Sequence, residues 1–385
     1  MEGRSLIIGI DLTEQRPQIA RYDRQTDRMA ADSLDFEGGT AFLKDVRNMW
    51  ARSMAANEPG TEIVSEFTRR FKAAAAARGV EDFDRSVGAL MVTVPEITKE
   101  NIAFARAFFR ELDMAEGRVF LQDHLESMFY EVMYEKEELR TRDVGLFQFR
   151  NKEVRFSRMH LNHNTRPITG TCELHGSLSF TGSEEEQSQE MQAFAQQMLG
   201  AGMYSGIILD GDSLDTPWGK PALKILLRSG RKVFREDYLF CKGACDAARE
   251  RVTEKRLKGV FYLSDGLVHL NIGMYMMSGG VNAYVPLMNA GVNWYEADTT
   301  EDCILEEGNT IVFSVSRIDD PRRVQYQMVL DGLPERPARA TRLRLHLFYP
   351  EIGKCMIEVT DLGFGDFFKP CEKVWEETLE EGRQL

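Results

Sequence analysis

Apolar and polar positions alternate with two different periods along the chain, and the change of period divides it. Ser5 to Asp11 (SLIIGID) is a short apolar run suited to a buried strand, and Gln18 to Tyr22 (QIARY) reads as its antiparallel partner. From Gly38 to Arg78 the pattern is helical. Ile63, Phe67 and Phe71 recur every four residues before an alanine run to Ala77, as on a core-facing helix. Ala89 to Val94 (ALMVTV) is a third apolar run, closed by Pro95. Thr98 then stands as the N-cap of a helix carrying Ile102, Ala105, Phe108, Phe109 and Leu112. A short strand, 118–121, and a helix from about His124 follow. Strand, helix, strand, helix is the order of an α/β layer with a mixed sheet.

A second round begins at Asp143. Val144 to Phe149 and Glu153 to His160 read as a hairpin, and Cys172 to Phe180 as a further strand. Ser183 and Glu186 form a capping box for a helix with Met191, Phe194, Ala195, Met198 and Leu199 on one face. Gly206 to Asp210 (GIILD) is a buried strand ending in a turn. Two helical segments follow, near 220–228 and 242–255. Beyond Lys258 the period falls to two over 268–276, 310–318, 342–348 and 355–360, with glycine turns between. Such spacing predicts an antiparallel β-sandwich. The last stretch, Lys369 to Glu381, reads as an acidic helix. The expected division is 1–255 for the lobes, a linker over 256–266, and 267–385 for the sandwich with its C-terminal helix.

Composition narrows the function. The 385 residues carry 48 Lys+Arg against 61 Asp+Glu, a formal net charge of −13. A chain of that sign is a poor binder of polyanions, so neither nucleic acid nor a membrane surface is expected as a partner. No apolar run approaches the ~20 residues of a membrane span, and a cytoplasmic protein is the default. The six cysteines form no CxxC. Cys241 and Cys245, one helical turn apart, lack a second pair nearby, so core thiols are expected and no metal site. His160 and His163 read as a solvated strand end. Trp294 and Tyr295 read as core. The arginines over 322–344 read as a solvated sandwich face, with an anion or acidic-partner site as the alternative.

The order of these pieces resembles the heat-shock-70 chaperones of the actin-like ATPase superfamily. IIGIDL is similar to their first phosphate strand, ALMVTVP to their "ITVPA" strand, and LQDHLESMFYEVM to the connecting segment that begins "NEPTAA". GIILDGD resembles the adenosine-site strand and turn, and CKGACDAA the "AYGAA" helix start, which holds Gly243. LDGLPERP followed by TRLRLHLFYPEIGKCMIEVTDLG resembles the peptide-binding sandwich. The tail is also similar to an uncharacterised bacterial family of unknown function, through NWYEA (Asn293 to Ala297), LGFG (Leu362 to Gly365) and a helix with Trp375. The fold this implies is an α/β two-lobed actin-like ATPase fold followed by an antiparallel β-sandwich.

The resemblance also implies where chemistry would sit, and there the sequence departs from the family. The first phosphate turn keeps Asp11 and Leu12, but Thr13, Glu14 and Gln15 replace glycine and threonines. A carboxylate at 4 Å from a phosphate charge would cost about 4 kcal/mol at an effective dielectric near 20. The second turn, an acid and three glycines in the family, is Phe147 to Lys152 here. Gln148 takes the place of the acid, and Arg150 and Lys152 either hold an anion or cap an ordinary hairpin. Asp123 aligns with the family's water-positioning Glu, and Asp210 and Gly211 with the adenosine turn. The implied nucleotide contacts are thus Asp11, Thr13, Gln148, Asp210, Gly211 and Gly243, with Asp11 and Asp123 as vestigial catalytic acids. ATP or ADP with Mg²⁺ would be held weakly, and no other cofactor is implied. The expected protein is a degenerate, non-enzymatic chaperone-like scaffold or adaptor that binds a peptide or protein on its sandwich. The alternative is an active ATPase with an unusual phosphate site.

Overall fold

The apolar run near the amino end becomes β1 (Leu6–Asp11), the middle strand of a five-stranded sheet and buried on both faces, which is why it shows no alternation. The computed structural model describes residues 5–381 apart from 14–16, 116, 136, 151, 201, 212–218, 254, 279 and 319–321. The expectations placed on Glu14 and Gln15 therefore lie outside the described residues. β1 pairs antiparallel with β2 (Gln18–Asp23), and β2 with β3 (Arg28–Ser33). On its other side β1 runs parallel to β4 (Val87–Val94), and β4 to β5 (Val119–Asp123). Helices α1 (Gly39–Ala55) and α2 (Thr61–Ala76) and the single turn α3 (Phe83–Ser86) connect β3 to β4. Helix α4 (Lys99–Glu111) starts at Thr98, whose side chain accepts the Asn101 N–H as expected of the N-cap, and α5 (His124–Tyr134) follows β5.

The same succession then repeats. β6 (Asp143–Arg150), β7 (Glu153–Asn162) and β8 (Ile168–Ser179) form the antiparallel part. α6 (Glu184–Gly200), β9 (Tyr204–Gly211), α7 (Lys220–Leu226), β10 (Lys232–Arg235) and α8 (Leu239–Val252) follow. The capping box is present: the Ser183 N–H donates to Glu186 Oε2 at 2.7 Å, and the Glu186 N–H to Ser183 Oγ at 3.4 Å. The two sheets run β3-β2-β1-β4-β5 and β10-β9-β6-β7-β8-β11, so the second repeats the strand order of the first and adds β11 (Val260–Tyr262) beside β8. That strand falls inside the stretch 256–266 read from the sequence as linker. Two similar halves on separate sheets are what the repeated pattern predicts.

Helices α5 and α8 exchange sides. The α5 residues Met128, Phe129, Val132 and Met133 are buried with Val144, Leu146 and Met159 of the second sheet. The α8 residues Cys241, Ala244, Cys245 and Ala248 are buried with Ile7, Ala20, Ala89 and Met91 of the first. Small residues let α8 lie directly on β1: a Cβ on Gly9 would come within 2.1 Å of the Cys241 carbonyl oxygen.

The chain divides into two units, Met1–Tyr262 and Leu263–Leu385. The second is built of β12 (Leu270–Ser278), β13 (Val281–Met288), β14 (Asp298–Leu305), β15 (Thr310–Arg317), β16 (Val324–Val329), β17 (Thr341–Glu351), β18 (Lys354–Gly363) and β19 (Val374–Glu380). They make two antiparallel sheets, β13-β12-β15-β16 and β14-β17-β18-β19, consistent with the expected sandwich. Trp294 and Tyr295 are buried, as core residues. The acidic helix expected over 369–381, with its tryptophan, is not there. Residues 374–380 are strand β19, paired with β18, and only Trp375 and Leu379 are buried on it. Two buried residues four apart satisfy a helical period and a strand period equally, and β18 supplies the backbone partners that decide between them.

Candidate functional site

The site begins where β1 ends. Asp11 is 2 % exposed, and one oxygen, Oδ1, accepts the Thr13 N–H at 3.0 Å and the Thr13 hydroxyl at 2.5 Å. His124 Nε2 lies 3.1 Å from the same oxygen, and its ring stacks on Phe240 of α8 with centroids 3.8 Å apart. Burial alone would raise the Asp11 pKa. The attraction of His124 and the hydrogen bonds from His124 and Thr13 outweigh it, so the carboxyl titrates below its ordinary value. His124 is the residue that sequence reasoning missed. Its only signal was its place next to Asp123, at the start of a predicted helix.

Asp123 closes β5 and opens the next helix. It is the N-cap of α5 and accepts the Glu126 N–H at 2.7 Å, while burial raises its pKa. Gln148 and Arg150 stand on β6. Arg150 Nη2 donates to Asp210 Oδ2 at 2.6 Å and Nη1 to the Phe149 carbonyl at 2.9 Å. Asp210 is 1 % exposed. Gly211 has φ 93°, and a Cβ there would meet Arg150 Nη1 at 2.0 Å and the Phe149 carbonyl oxygen at 2.1 Å. The Arg150 guanidinium therefore fills the space beside the glycine turn. Gly243 sits against α5, where an added Cβ would be 1.9 Å from the Ser127 carbonyl oxygen. It serves the crossing of two helices. Both α8 thiols are buried and pushed well above their ordinary pKa by desolvation, and they donate to backbone carbonyls, Cys241 to Tyr238 and Cys245 to Ile7.

Thr13, His124, Gln148 and Arg150 open onto one cavity of about 640 Å³ between the two halves. Its first-half wall carries the aromatic side chains of Trp50, Phe104 and Phe108 together with Arg47, Glu96 and Asn101. Asp11, Thr13 and His124 thus come together with Gln148 and Arg150, whereas Asp123 and Gly243 serve helix α5. These residues do not fit a magnesium triphosphate. Gln148 stands where the resemblance implies an acid, the Arg150 guanidinium lies against Asp210 and Gly211, and three hydrogen bonds converge on the Asp11 oxygen. Among the described residues no group of three or more His, Cys, Asp or Glu is placed to hold a metal ion, and no helix is long and apolar enough to cross a membrane.

Residues 64–265 match the C-terminal part of the family of unknown function DUF5716, which is more than half of the 385-residue chain. The chain belongs to the DUF5716 family. Residues 267–380 match the domain of unknown function DUF8552, so the two matches meet close to the division between the units. No curated protein matches the sequence. Among solved structures, an inorganic polyphosphate/ATP-glucomannokinase from Arthrobacter sp. strain KM is similar at 12% identity and TM-score 0.36, over 64% of this chain and 98% of that one. The Aquifex aeolicus Ppx/GppA phosphatase, type II variant, is similar at 9% identity and TM-score 0.37, over 63% and 99%. A Bacteroides thetaiotaomicron protein with actin-like ATPase fold and unknown function is similar at 8% identity and TM-score 0.33, over 64% and 96%. The likeness is loose at these scores.

Proposed function

We propose that the first unit of this DUF5716 protein is an actin-like module that holds a ligand in its cleft without hydrolysing ATP, a non-enzymatic relative of the heat-shock-70 chaperones. Its sandwich binds a peptide or protein. The observation that carries the reading is the ion pair of Arg150 with buried Asp210. Phosphoryl transfer needs backbone N–H groups and a bound cation arranged around the phosphates, and here Arg150, in the turn that would hold them, is folded onto Asp210. Each lost donor of such a site costs about 10²- to 10³-fold in rate, so several losses together leave turnover at background. Any nucleotide is held weakly. Closure of the two halves over the cleft is the motion such a module uses to signal to a partner.

Purified protein is expected to release phosphate from ATP no faster than a buffer control, with or without Mg²⁺, and Asp11→Ala to leave that rate unchanged. The second reading, an ATPase with an unusual phosphate site, draws on the ionised Asp11 beside His124 at the cavity. Turnover that Asp11→Ala abolishes would establish it and remove the first.

A further inference from the structure

A second cavity, of about 540 Å³, lies away from the cleft and shares no lining residue with it. It is formed where β6 begins and β7 ends, with Gly200, Gly202 and Met203 on one side. In a chain of net charge −13 its lining gathers Arg140, Arg142, Arg158, His160 and His163 around one acid, Asp143.

The acid organises the bases. Asp143 is 8 % exposed. Its Oδ2 accepts Arg158 Nε at 2.6 Å and Nη2 at 2.5 Å, and its Oδ1 pairs with His160 Nδ1 at 2.7 Å. Both oxygens are thereby engaged. The guanidinium plane and the imidazole are fixed, and Arg158 Nη1 and His160 Nε2 have no partner among the described residues. The His160 side chain is half exposed. Arg140 donates to the Met133 carbonyl in the last turn of α5 and to the Glu135 carbonyl just beyond it, and pairs with Glu137. Arg142 and His163 are exposed, and neither side chain has a partner among the described residues. Five nitrogen-bearing side chains therefore line the cavity, and two of them are oriented by a buried carboxylate.

Preset N–H donors converging with a guanidinium fork recognise a tetrahedral oxyanion. We propose that this second cavity is an oxyanion site that takes the phosphate group of a small molecule. The site belongs to the second half alone and does not depend on what the cleft binds. Free phosphate and the phosphoryl group of a metabolite present the same oxygens, and the test separates them.

Inorganic phosphate and glycerol phosphate are titrated separately into the full chain at fixed ionic strength, by calorimetry and by NMR of ¹³C-labelled histidines. Saturable binding is expected, with His160 and His163 shifting among the six histidines. Arg142→Ala, which removes an exposed side chain with no partner among the described residues, should weaken it at least about tenfold and leave the melting temperature unchanged. Arg158→Lys, which keeps the charge and loses the fork, should weaken it as well. Glycerol phosphate binding as tightly as phosphate identifies a phosphorylated metabolite as the occupant, and phosphate binding alone identifies the free ion. Binding that does not saturate, or that Arg142→Ala leaves unchanged, overturns the proposal.

Discussion

Asp361→Asn is expected to destabilise the second unit by about 3–5 kcal/mol, because it leaves a buried guanidinium without its counter-charge. The Arg336 and Asp361 side chains are 3% and 0% exposed. Arg336 donates to both carboxylate oxygens, at 2.8 and 2.7 Å, and also to the Lys369 carbonyl at 2.8 Å. Asp361 in turn accepts the Gly363 and Cys371 N–H groups, each at 2.9 Å. One ion pair thus ties the loop between β18 and β19 at several points. Replacing both partners with apolar residues, as in Arg336→Met with Asp361→Leu, should recover much of the loss. Urea unfolding of the full chain checks this through the fluorescence of Trp294 and Trp375. A loss below about 1 kcal/mol for Asp361→Asn would show that the pair is replaceable by water.

The same carboxylate predicts a pH dependence. Burial acts to raise the Asp361 pKa, but the Arg336 hydrogen bonds and two backbone N–H groups prevail and bring it from 3.8 down to about 2. A depressed carboxyl stabilises the folded state fully above its unfolded value, and the contribution is lost as pH falls. The window is therefore about pH 4 down to about 2. Stability of the wild-type second unit should fall through that window more steeply than that of Asp361→Asn.

Legibility from sequence followed burial and sequence distance. β1, β4 and β9 were readable because strands buried on both faces are continuous apolar runs. The α4 cap and the α6 capping box were readable because each lies within four residues of its partner. β3, with the sequence RMAADS, has no such run, since an edge strand half open to water needs none. The site was legible only in outline. Asp11 could be singled out, but His124 could not, because the contact joins residues 113 apart. Arg150 and Asp210, 60 apart, each looked like an isolated turn residue. The arginines over 322–344 read as a solvated face. Arg336 is instead buried on Asp361, while Arg339 and Arg344 are exposed and pair with Glu306 and Asp302. Charge pairing across strands leaves no mark in a single sequence.

Gly243→Val should cause the largest loss in the first unit, about 3 kcal/mol or more. A Cβ at Gly243 meets backbone on the facing helix: the Ser127 carbonyl oxygen at 1.9 Å and its carbon at 2.6 Å. No rotamer change can clear that. Ser127 is itself held, because its hydroxyl accepts from Gln122 Nε2 at 2.7 Å, donates to the Asp123 carbonyl at 2.9 Å and lies 2.7 Å from Thr93 Oγ1. Nor can α8 retreat, since its other side rests on Gly9 of β1. The helix that joins the two halves is wedged between α5 and a strand, and a larger residue must part them. Gly200→Ala is the control, at a helical glycine with nothing within 4 Å of an added Cβ and no left-handed backbone. Thermal unfolding should show the first unit melting early in Gly243→Val, with the second-unit signal of Trp375 unchanged. If Gly243 instead served a nucleotide, the variant would keep its melting temperature and lose affinity for a fluorescent ATP analogue. That outcome would return the glycine to the ligand site and remove it from the helix crossing.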